Sequence, residues 1–135
     1  MIKNDYSQEL SYAVEAALNA GKYLLKNKSN LNVRIESGPK DTKLQADVES
    51  ENLIKQSISS ISKYPILAEE SGKSVENLGD TFWIIDPLDG TANFSRDIPI
   101  CCVSICLVCN MKPILGVVYD FNNDDLYNCL LYTSD

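Results

Sequence analysis

The segment 83–94, Trp-Ile-Ile-Asp-Pro-Leu-Asp-Gly-Thr-Ala-Asn-Phe, constrains the fold more than any other part of the chain. Residues 81–86 begin as an apolar run that predicts a strand, and Asp86 and Asp89 lie at its end. Apolar burial gives no reason for two carboxylates there, because they repel each other and lose hydration unless a cation neutralises them. The segment therefore predicts a metal and phosphate site at the end of a strand.

A second strand with an acidic end supports this interpretation. Residues 65–68 predict a short apolar strand that runs directly into Glu69. If the two strands are neighbours in a sheet, Glu69, Asp86 and Asp89 converge at one edge. Oxygen donors without His or Cys select Mg²⁺, Mn²⁺ or Ca²⁺ over zinc, and the Leu88 carbonyl offers a further oxygen. The chain contains no histidine, which excludes Ser-His-Asp and Cys-His catalysis.

Gly90 and Thr91 follow the aspartates directly and suit a phosphate group. Glycine lets the backbone approach an anion closely, and amides at the start of a short helix can contact phosphate oxygens. The Thr91 hydroxyl can hold a water molecule and pass its proton to a carboxylate. Each motif also has a plain structural interpretation, since Asp-Pro-Leu-Asp-Gly is a good turn and Glu-Glu-Ser-Gly suits an exposed loop. Their shared position after apolar strands favours the functional interpretation.

The order of predicted elements indicates an α+β fold. Apolar residues at helical spacing predict helices over 6–27 and 43–62. We expect two N-terminal helices packed on a largely antiparallel sheet. The predicted strands cover 33–36, 65–68, 81–86, 100–109, 114–119 and 126–131. The segments predicted between these elements are a polar break at 29–32, loops at 37–39 and 73–80, a short helix after residue 91, and turns at 110–113 and 122–125.

Asp47 has two interpretations on pattern alone. It lies in the first turns of the second helix, where the helix dipole favours acidic residues, and next to the apolar positions Leu44 and Val48. A solvated carboxylate is the interpretation that this pattern favours. A residue of the functional site is the alternative.

The net charge and the cysteines limit which partners and which redox environment suit the protein. A net charge of −7 and a pI near 4.5 argue against binding to nucleic acid or anionic membranes. Residues 1–30 carry no signal-peptide pattern, and no apolar run reaches the ~18 residues of a membrane span. We expect five free thiols in a reducing, cytoplasmic setting. The C-x-x-C spacing at 106–109 lies inside an apolar run and favours strand packing.

Three stretches resemble the inositol monophosphatase family, a branch of the Mg²⁺-dependent, lithium-sensitive phosphatases. They are residues 68–72 (Ala-Glu-Glu-Ser-Gly), the highly specific motif at 83–94 and the hairpin 98–119. The resemblance extends from the first helix to about Tyr127. It implies the N-terminal half of the layered α/β sandwich of the sugar phosphatases, and a homodimer for a full-length protein. Asn93-Phe94, Pro99 and the run 103–105 resemble the inositol-phosphate branch more than the phosphoadenosine branch.

The resemblance implies which residues bind metal. Glu69 resembles a ligand of the first ion, and Asp86 resembles the aspartate that bridges two ions. The Leu88 carbonyl resembles a backbone ligand, and Asp89 resembles a ligand of the second ion that also lies near the phosphate. The implied cofactor is two or more Mg²⁺ ions, with Mn²⁺ as a substitute.

The resemblance also implies which residues handle phosphate and water. Gly90 and Thr91 resemble the pair that contacts phosphate. Thr91 and Asp47, together with Glu69, resemble the catalytic group that activates the attacking water, which reverses the pattern-based preference for a solvated Asp47. Glu70 is expected to support the metal ligands without binding metal itself.

The chain departs from the family pattern in sequence and in length. Residues 43–46 (Lys-Leu-Gln-Ala) stand where members usually carry Val-Thr before the aspartate. The chain has about half the length of a typical member, whose second half supplies a further metal-binding aspartate and most substrate-hydroxyl contacts. We therefore expect an inositol monophosphatase-like domain over 1–127, without the C-terminal half. Residues 128–135 form an atypical tail, for which a non-native origin is one interpretation.

The function implied by the resemblance is Mg²⁺-dependent hydrolysis of a small phosphorylated polyol, first of all myo-inositol 1-phosphate, by a metal-activated water. One alternative is another phosphatase of the superfamily, acting on 3'-phosphoadenosine-5'-phosphate, fructose 1,6-bisphosphate or histidinol phosphate. A second is a truncated, non-catalytic fragment that binds metal and phosphate. A third is a fragment that is unstable alone, because it exposes sheet edges and helix faces.

Overall fold

The computed structural model describes residues 5–37 and 42–131, and the predicted loop positions 38 and 39 lie outside this range. The order of helices and strands confirms the α+β class. In chain order the elements are α1 (Ser7–Lys26), α2 (Lys28–Leu31), β1 (Arg34–Ser37), β2 (Thr42–Leu44), α3 (Gln45–Ser59), β3 (Ile66–Ala68), β4 (Gly72–Lys73), β5 (Thr81–Asp89), α4 (Thr91–Ser95), β6 (Cys102–Cys109), β7 (Lys112–Asp120) and β8 (Asp125–Leu130).

α1 forms because small and aliphatic residues recur at helical spacing along one face. The buried members of that face are Ala13, Ala16, Ala17, Ala20, Gly21 and Leu24. The polar break predicted after this helix is wrong, because α2 occupies residues 28–31 and buries Leu31. Of the helices in the described residues, none is both long and apolar enough to cross a bilayer.

α3 is shorter at both ends than the predicted helix over 43–62. Lys43 and Leu44 instead belong to β2 and pair with β1. The Asp47 carboxylate accepts the backbone N–H of Leu44 at 2.8 Å, which satisfies a donor that the first turn of a helix leaves unpaired. This bond fixes the point at which the extended backbone turns into the helix.

The main sheet has six strands in the order β4-β3-β5-β6-β7-β8. β3 and β5 are parallel, whereas the other neighbouring pairs are antiparallel. The prediction of a largely antiparallel sheet is therefore confirmed. β1 and β2 form a separate antiparallel pair.

The core lies between the helices and one face of this sheet. α1 packs against α3 and covers β6 and β7, and α3 packs on β5. Trp83 and Ile85 of β5 are fully buried in this layer, but Ile84 between them is 38% exposed. Alternate residues of a strand point to opposite faces, and on the face of Ile84 the run is covered at Phe82, which is 8% exposed, but not at Ile84 itself.

The β6–β7 connection is tighter than the predicted turn over 110–113. Asn110 and Met111 have φ values of 52° and 64°, and two left-handed residues make the two-residue turn that suits the twist of a hairpin. Lys112 and Pro113 consequently belong to β7. Pro113 lies beside a bulge in β7, where two steps along β7 match one step along β6, and a residue without an N–H is tolerated at a bulge.

β8 pairs with β7 from Asp125 to Leu130. Residues 128–130 of the predicted tail are thus part of the sheet. Residues 132–135 lie outside the described part of the chain.

The closest approach between α1 and the sheet gives a stability prediction. A Cβ added at Gly21 would overlap the Tyr119 ring, 2.6 Å from Cε2, and would lie 3.0 Å from Phe121 Cβ. Overpacking of this kind costs about 1–3 kcal/mol. Gly21→Ala should therefore lower the free energy of unfolding by that amount in urea denaturation followed by circular dichroism.

The matched control is Gly116→Ala in β7, where an added Cβ meets nothing within 4 Å. This variant should be neutral or stabilising by up to about 1 kcal/mol. Equal stability of the two variants would contradict the described packing of α1 on β7.

Candidate active site

Two neighbouring strands bring acidic residues to one end of the sheet. β3 lies parallel to β5, with Ala68 opposite Ile85. The next residue on each strand is acidic, so the register places Glu69 beside Asp86. The two carboxyl groups lie within hydrogen-bonding reach of each other.

Asp86 and Asp89 share a face of β5 because the strand carries an extra residue between them. Asp86 pairs with Ser104 and Asp89 with Cys102, so three steps along β5 match two steps along β6. In a regular strand, residues three apart point to opposite faces. The extra residue of the bulge brings Asp86 and Asp89 to the same face. Pro87 lies in the bulge. The sequence predicted a strand end at residue 86, whereas β5 continues through the bulge to residue 89.

The Asp86 carboxylate opposes the ionisation of Glu69. The hydrogen bond with Asp86, followed by desolvation and the charge of Asp86, raises the pKa of Glu69 to about 8. The Oδ1 atom of Asp86 is buried and has no hydrogen-bond partner, although buried carboxylate oxygens normally have one. A cation would supply both the missing partner and the missing positive charge.

Asp47 is 2% exposed, so its interpretation as a solvated carboxylate is wrong. One oxygen accepts the Leu44 N–H, as described above, and Oδ1 accepts the Thr91 hydroxyl at 2.8 Å. Desolvation raises the pKa of Asp47, and these two hydrogen bonds act in the opposite direction. Asp47 thus connects the start of α3 to the start of α4.

The Thr91 hydroxyl lies between two acceptors. Its Oγ1 is 2.8 Å from Asp47 Oδ1 and 3.2 Å from the Leu88 carbonyl oxygen. A hydroxyl has one proton and donates to one acceptor at a time. The shorter bond to a carboxylate is the stronger one. With its proton directed to Asp47, Thr91 can accept a hydrogen bond from water, and the Leu88 carbonyl keeps a lone pair for another ligand.

Gly90 is required at the start of α4 by conformation and by space. Its φ of 96° lies in the left-handed region that side chains disfavour. An added Cβ would lie 2.8 Å from the Ile100 carbonyl oxygen and 3.0 Å from Cys101 Cβ. The Gly90 carbonyl also accepts the Phe94 N–H at 2.9 Å. These constraints fix Thr91 as the first residue of the helix.

Asp89 and Glu70 lie at the rim of the site. Asp89 is exposed, with the Cys102 thiol donating to its Oδ2 at 3.9 Å. Desolvation raises the pKa of Glu70, whereas Lys43 lowers it, with 3.4 Å between Lys43 Nζ and Glu70 Oε2. The acidic cluster is defined here as Asp47, Glu69, Glu70, Asp86 and Asp89. Lys43 makes the one ion pair to this cluster that the described residues contain.

Two further residues of α3 reach the site and were missed in the sequence. Ser50 is fully buried and its hydroxyl donates at 2.7 Å to a backbone carbonyl in the β5 bulge. Glu51 is 3% exposed and accepts the N–H groups of Glu70 and Ser71 at 2.8 and 3.0 Å. Helical spacing is the sequence signal that could have identified them. They follow Asp47 by three and four residues and so lie on the same helix face.

The donor set fits a hard divalent cation. Glu69, Asp86 and the Leu88 carbonyl offer oxygen atoms, and the unpartnered Asp86 Oδ1 is available to accept a cation. Asp89 does not join them in a preformed metal site. In residues 5–37 and 42–131, no group of three acidic or thiol side chains is close enough together to hold a metal ion. Mg²⁺ does not require such a cage, because it is held by one or two carboxylates together with waters and phosphate oxygens.

Comparison with known proteins identifies relatives of this chain. A sequence model of the Inositol monophosphatase family matches residues 5–131. Over 122 residues the chain is 38% identical to Inositol-1-monophosphatase of Mesorhizobium japonicum, covering 87% of this chain and 46% of the relative. Over 127 residues it is 39% identical to Inositol monophosphatase 1 of Rattus norvegicus, covering 87% and 44%. The solved structure of extragenic suppressor protein suhB from Bartonella henselae matches with a TM-score of 0.84 at 35% identity, covering 92% of this chain and 49% of that one. The chain therefore spans about half the length of the relatives it matches.

The shifted pKa of Glu69 predicts how stability depends on pH in the presence of EDTA. The ordinary pKa of a glutamate, 4.5, applies in the unfolded chain, and in the folded chain the hydrogen bond with Asp86 raises the pKa of Glu69 to about 8. Between these values the folded state holds a proton that the unfolded state has lost, so this group's contribution to stability falls as the pH rises. The loss of unfolding free energy from pH 4.5 to 8 should be smaller in Glu69→Gln than in the wild type, as measured by urea denaturation.

Glu76→Gln is the control, because Glu76 lies in the exposed loop before β5. It should leave the pH profile unchanged. Identical profiles for wild type and Glu69→Gln would show that the acidic cluster does not hold Glu69 protonated.

Proposed function

Because the chain belongs to the inositol monophosphatase family, we propose that it contributes half of the active site of a Mg²⁺-dependent phosphomonoesterase. The observation that carries this proposal is the hydrogen bond from Thr91 Oγ1 to the buried Asp47 carboxylate, beside the unpartnered Oδ1 of Asp86. A hydroxyl coupled to a buried carboxylate next to a cation position is the arrangement that activation of a water molecule needs.

Metal binding falls to four groups of this chain. We assign the carboxylates of Glu69, Asp86 and Asp89 and the carbonyl of Leu88 as ligands of Mg²⁺, with Mn²⁺ as a substitute. When bound, Mg²⁺ supplies polarisation of the phosphate and a water of lowered pKa. Asp89 would complete the site from the rim, where it is exposed.

The proton from the attacking water is assigned to Thr91 and Asp47. Thr91 Oγ1 accepts a hydrogen bond from that water while its own proton points to Asp47 Oδ1. Burial raises the pKa of Asp47, and a raised pKa makes a carboxylate a better proton acceptor at neutral pH. Gly90 and Thr91 are assigned to the phosphate at the first turn of α4, where the left-handed φ of 96° at Gly90 sets the start of the helix.

The substrate that we propose is a small phosphorylated polyol, with myo-inositol 1-phosphate first. The support is the similarity of the chain to two relatives, Inositol-1-monophosphatase and Inositol monophosphatase 1. 3'-Phosphoadenosine-5'-phosphate, fructose 1,6-bisphosphate and histidinol phosphate remain as alternatives, because the proposed metal and phosphate contacts leave the rest of the substrate unspecified. A panel of these four compounds, assayed by phosphate release, separates them.

A second candidate is a fragment that binds metal and phosphate without turnover. The chain covers 44–49% of the length of the relatives described above, and most substrate-hydroxyl contacts are expected in the remainder. Phosphate release by the 135-residue chain, compared with a version extended to the relatives' length, distinguishes the two. Turnover by the short form excludes the binding-only candidate.

Asp86→Asn should abolish the response of the chain to Mg²⁺. In the wild type, Mg²⁺ binds the folded state and raises the melting temperature, by linkage of binding and folding. The variant replaces the Asp86 carboxylate with a neutral amide, and its melting temperature should not rise with Mg²⁺. The control is Asp80→Asn, an exposed carboxylate just before β5, which should respond like the wild type. An undiminished rise in Asp86→Asn means that Mg²⁺ binds elsewhere.

Thr91→Val and Thr91→Ser test the proton path in the extended protein. Valine removes the hydroxyl at nearly constant volume, and positioned proton transfer typically contributes about 10²–10⁴-fold to a rate. We expect kcat to fall at least about 100-fold in Thr91→Val, which is the lower bound of that range. Thr91→Ser keeps the hydroxyl and should stay within about tenfold of the wild type. Equal loss in both variants would indicate that packing, not the hydroxyl, matters at this position.

A further inference from the structure

Glu51 is a buried carboxylate that the proposed chemistry does not use. It lies on α3, is 3% exposed, and makes neither of the ion pairs found among the described residues. Transfer of a carboxylate out of water is costly unless it receives hydrogen bonds. A glutamate kept at such a position therefore needs an explanation from the groups around it.

Those groups are backbone amides of the turn that carries a metal ligand. Glu51 Oε1 accepts the Glu70 N–H at 2.8 Å, and Oε2 accepts the Ser71 N–H at 3.0 Å. Both carboxylate oxygens are engaged, so the side chain holds two successive peptide groups in one orientation. The N–H of Glu70 belongs to the peptide group that joins Glu69 to Glu70, so Glu51 holds the backbone directly after Glu69.

The same face of α3 holds the other two parts of the site. Asp47 binds the Thr91 hydroxyl at the start of α4, and Ser50 binds a carbonyl in the β5 bulge. Glu51 adds the third attachment, to the turn after β3. These three residues are spaced to lie on one side of a helix, so α3 sets the relative positions of three backbone segments that come from distant parts of the chain.

We propose that Glu51 is a positioning residue for the cation site, which orients the turn after β3 so that the Glu69 carboxylate faces Asp86. This rests on the proposed metal-dependent function. Glu51 itself touches neither cation nor substrate. Its part is to fix the backbone of the turn against the repulsion between Glu69 and Asp86, which otherwise drives the turn away from β5.

Glu51→Gln is the informative substitution because it keeps size and shape. The amide oxygen still accepts one backbone N–H, but the amide nitrogen is a donor and cannot accept the second. Loss of an outer hydrogen-bond partner typically weakens metal binding about 10–100-fold. Glu49→Gln is the matched control, because Glu49 lies on the same helix but bonds Tyr23 and Gln45, away from the cation site.

The test is titration of each folded variant with MnCl₂ alone, with the free-ion signal followed by electron paramagnetic resonance. We expect the dissociation constant to rise about tenfold or more in Glu51→Gln and to stay unchanged in Glu49→Gln, at a temperature where both are folded. A purely structural role would lower the melting temperature of Glu51→Gln without changing its dissociation constant, and that result overturns the proposal. Mn²⁺ binding that survives Asp86→Asn would instead overturn the proposed function itself.

Amide hydrogen exchange in the wild-type chain decides the question if Glu51→Gln does not fold. The N–H groups of Glu70 and Ser71 should exchange more slowly than those of Glu76 and Asn77 in the exposed loop. Exchange at the same rate as that loop would mean that Glu51 does not hold the turn, and the proposal then fails.

Discussion

Repulsion between carboxylates at the end of β5 is the constraint on which the rest of the site depends. The parallel pairing of β3 with β5 sets Glu69 beside Asp86, and the bulge turns Asp89 to the same face. The described residues offer this cluster one ion pair, from Lys43 to Glu70. Close packing of like charges with so little compensation is unfavourable unless a proton on Glu69 or a bound cation compensates it. A divalent ion at this position, as we propose, would take the place of that proton and relieve the repulsion.

α3 withstands this repulsion because it is tied to the backbone at three points. Asp47, Ser50 and Glu51 bind the start of α4, the β5 bulge and the turn after β3. The remaining buried residues of the helix pack in the apolar core with α1. A single helix thus combines core packing with the placement of polar groups.

Sequence reasoning predicted the fold class and most of the elements, because apolar periodicity records which face is buried. It also indicated that Glu69 and Asp86 would meet if their strands were neighbours. It did not identify Glu51, because a glutamate in an amphipathic helix is typical of a solvated position and only its backbone partners, brought in by tertiary structure, reveal a buried one. The start of α3 was misjudged for a similar reason, since Leu44 has an apolar side chain that suits either helix or strand. Pairing with β1 decides in favour of the strand.

The most direct test of the central claim is a Mg²⁺ titration of the 135-residue chain, followed by the carboxyl ¹³C resonances of its Asp and Glu side chains. If the acidic cluster is a cation site, the signals of Glu69 and Asp86 shift together and saturate at the same concentration. Exposed carboxylates such as Glu76 shift weakly and without saturation. Signals of Glu69 and Asp86 that move no more than that of Glu76 would contradict the account, because the repulsion at the end of β5 would then have no cation to relieve it.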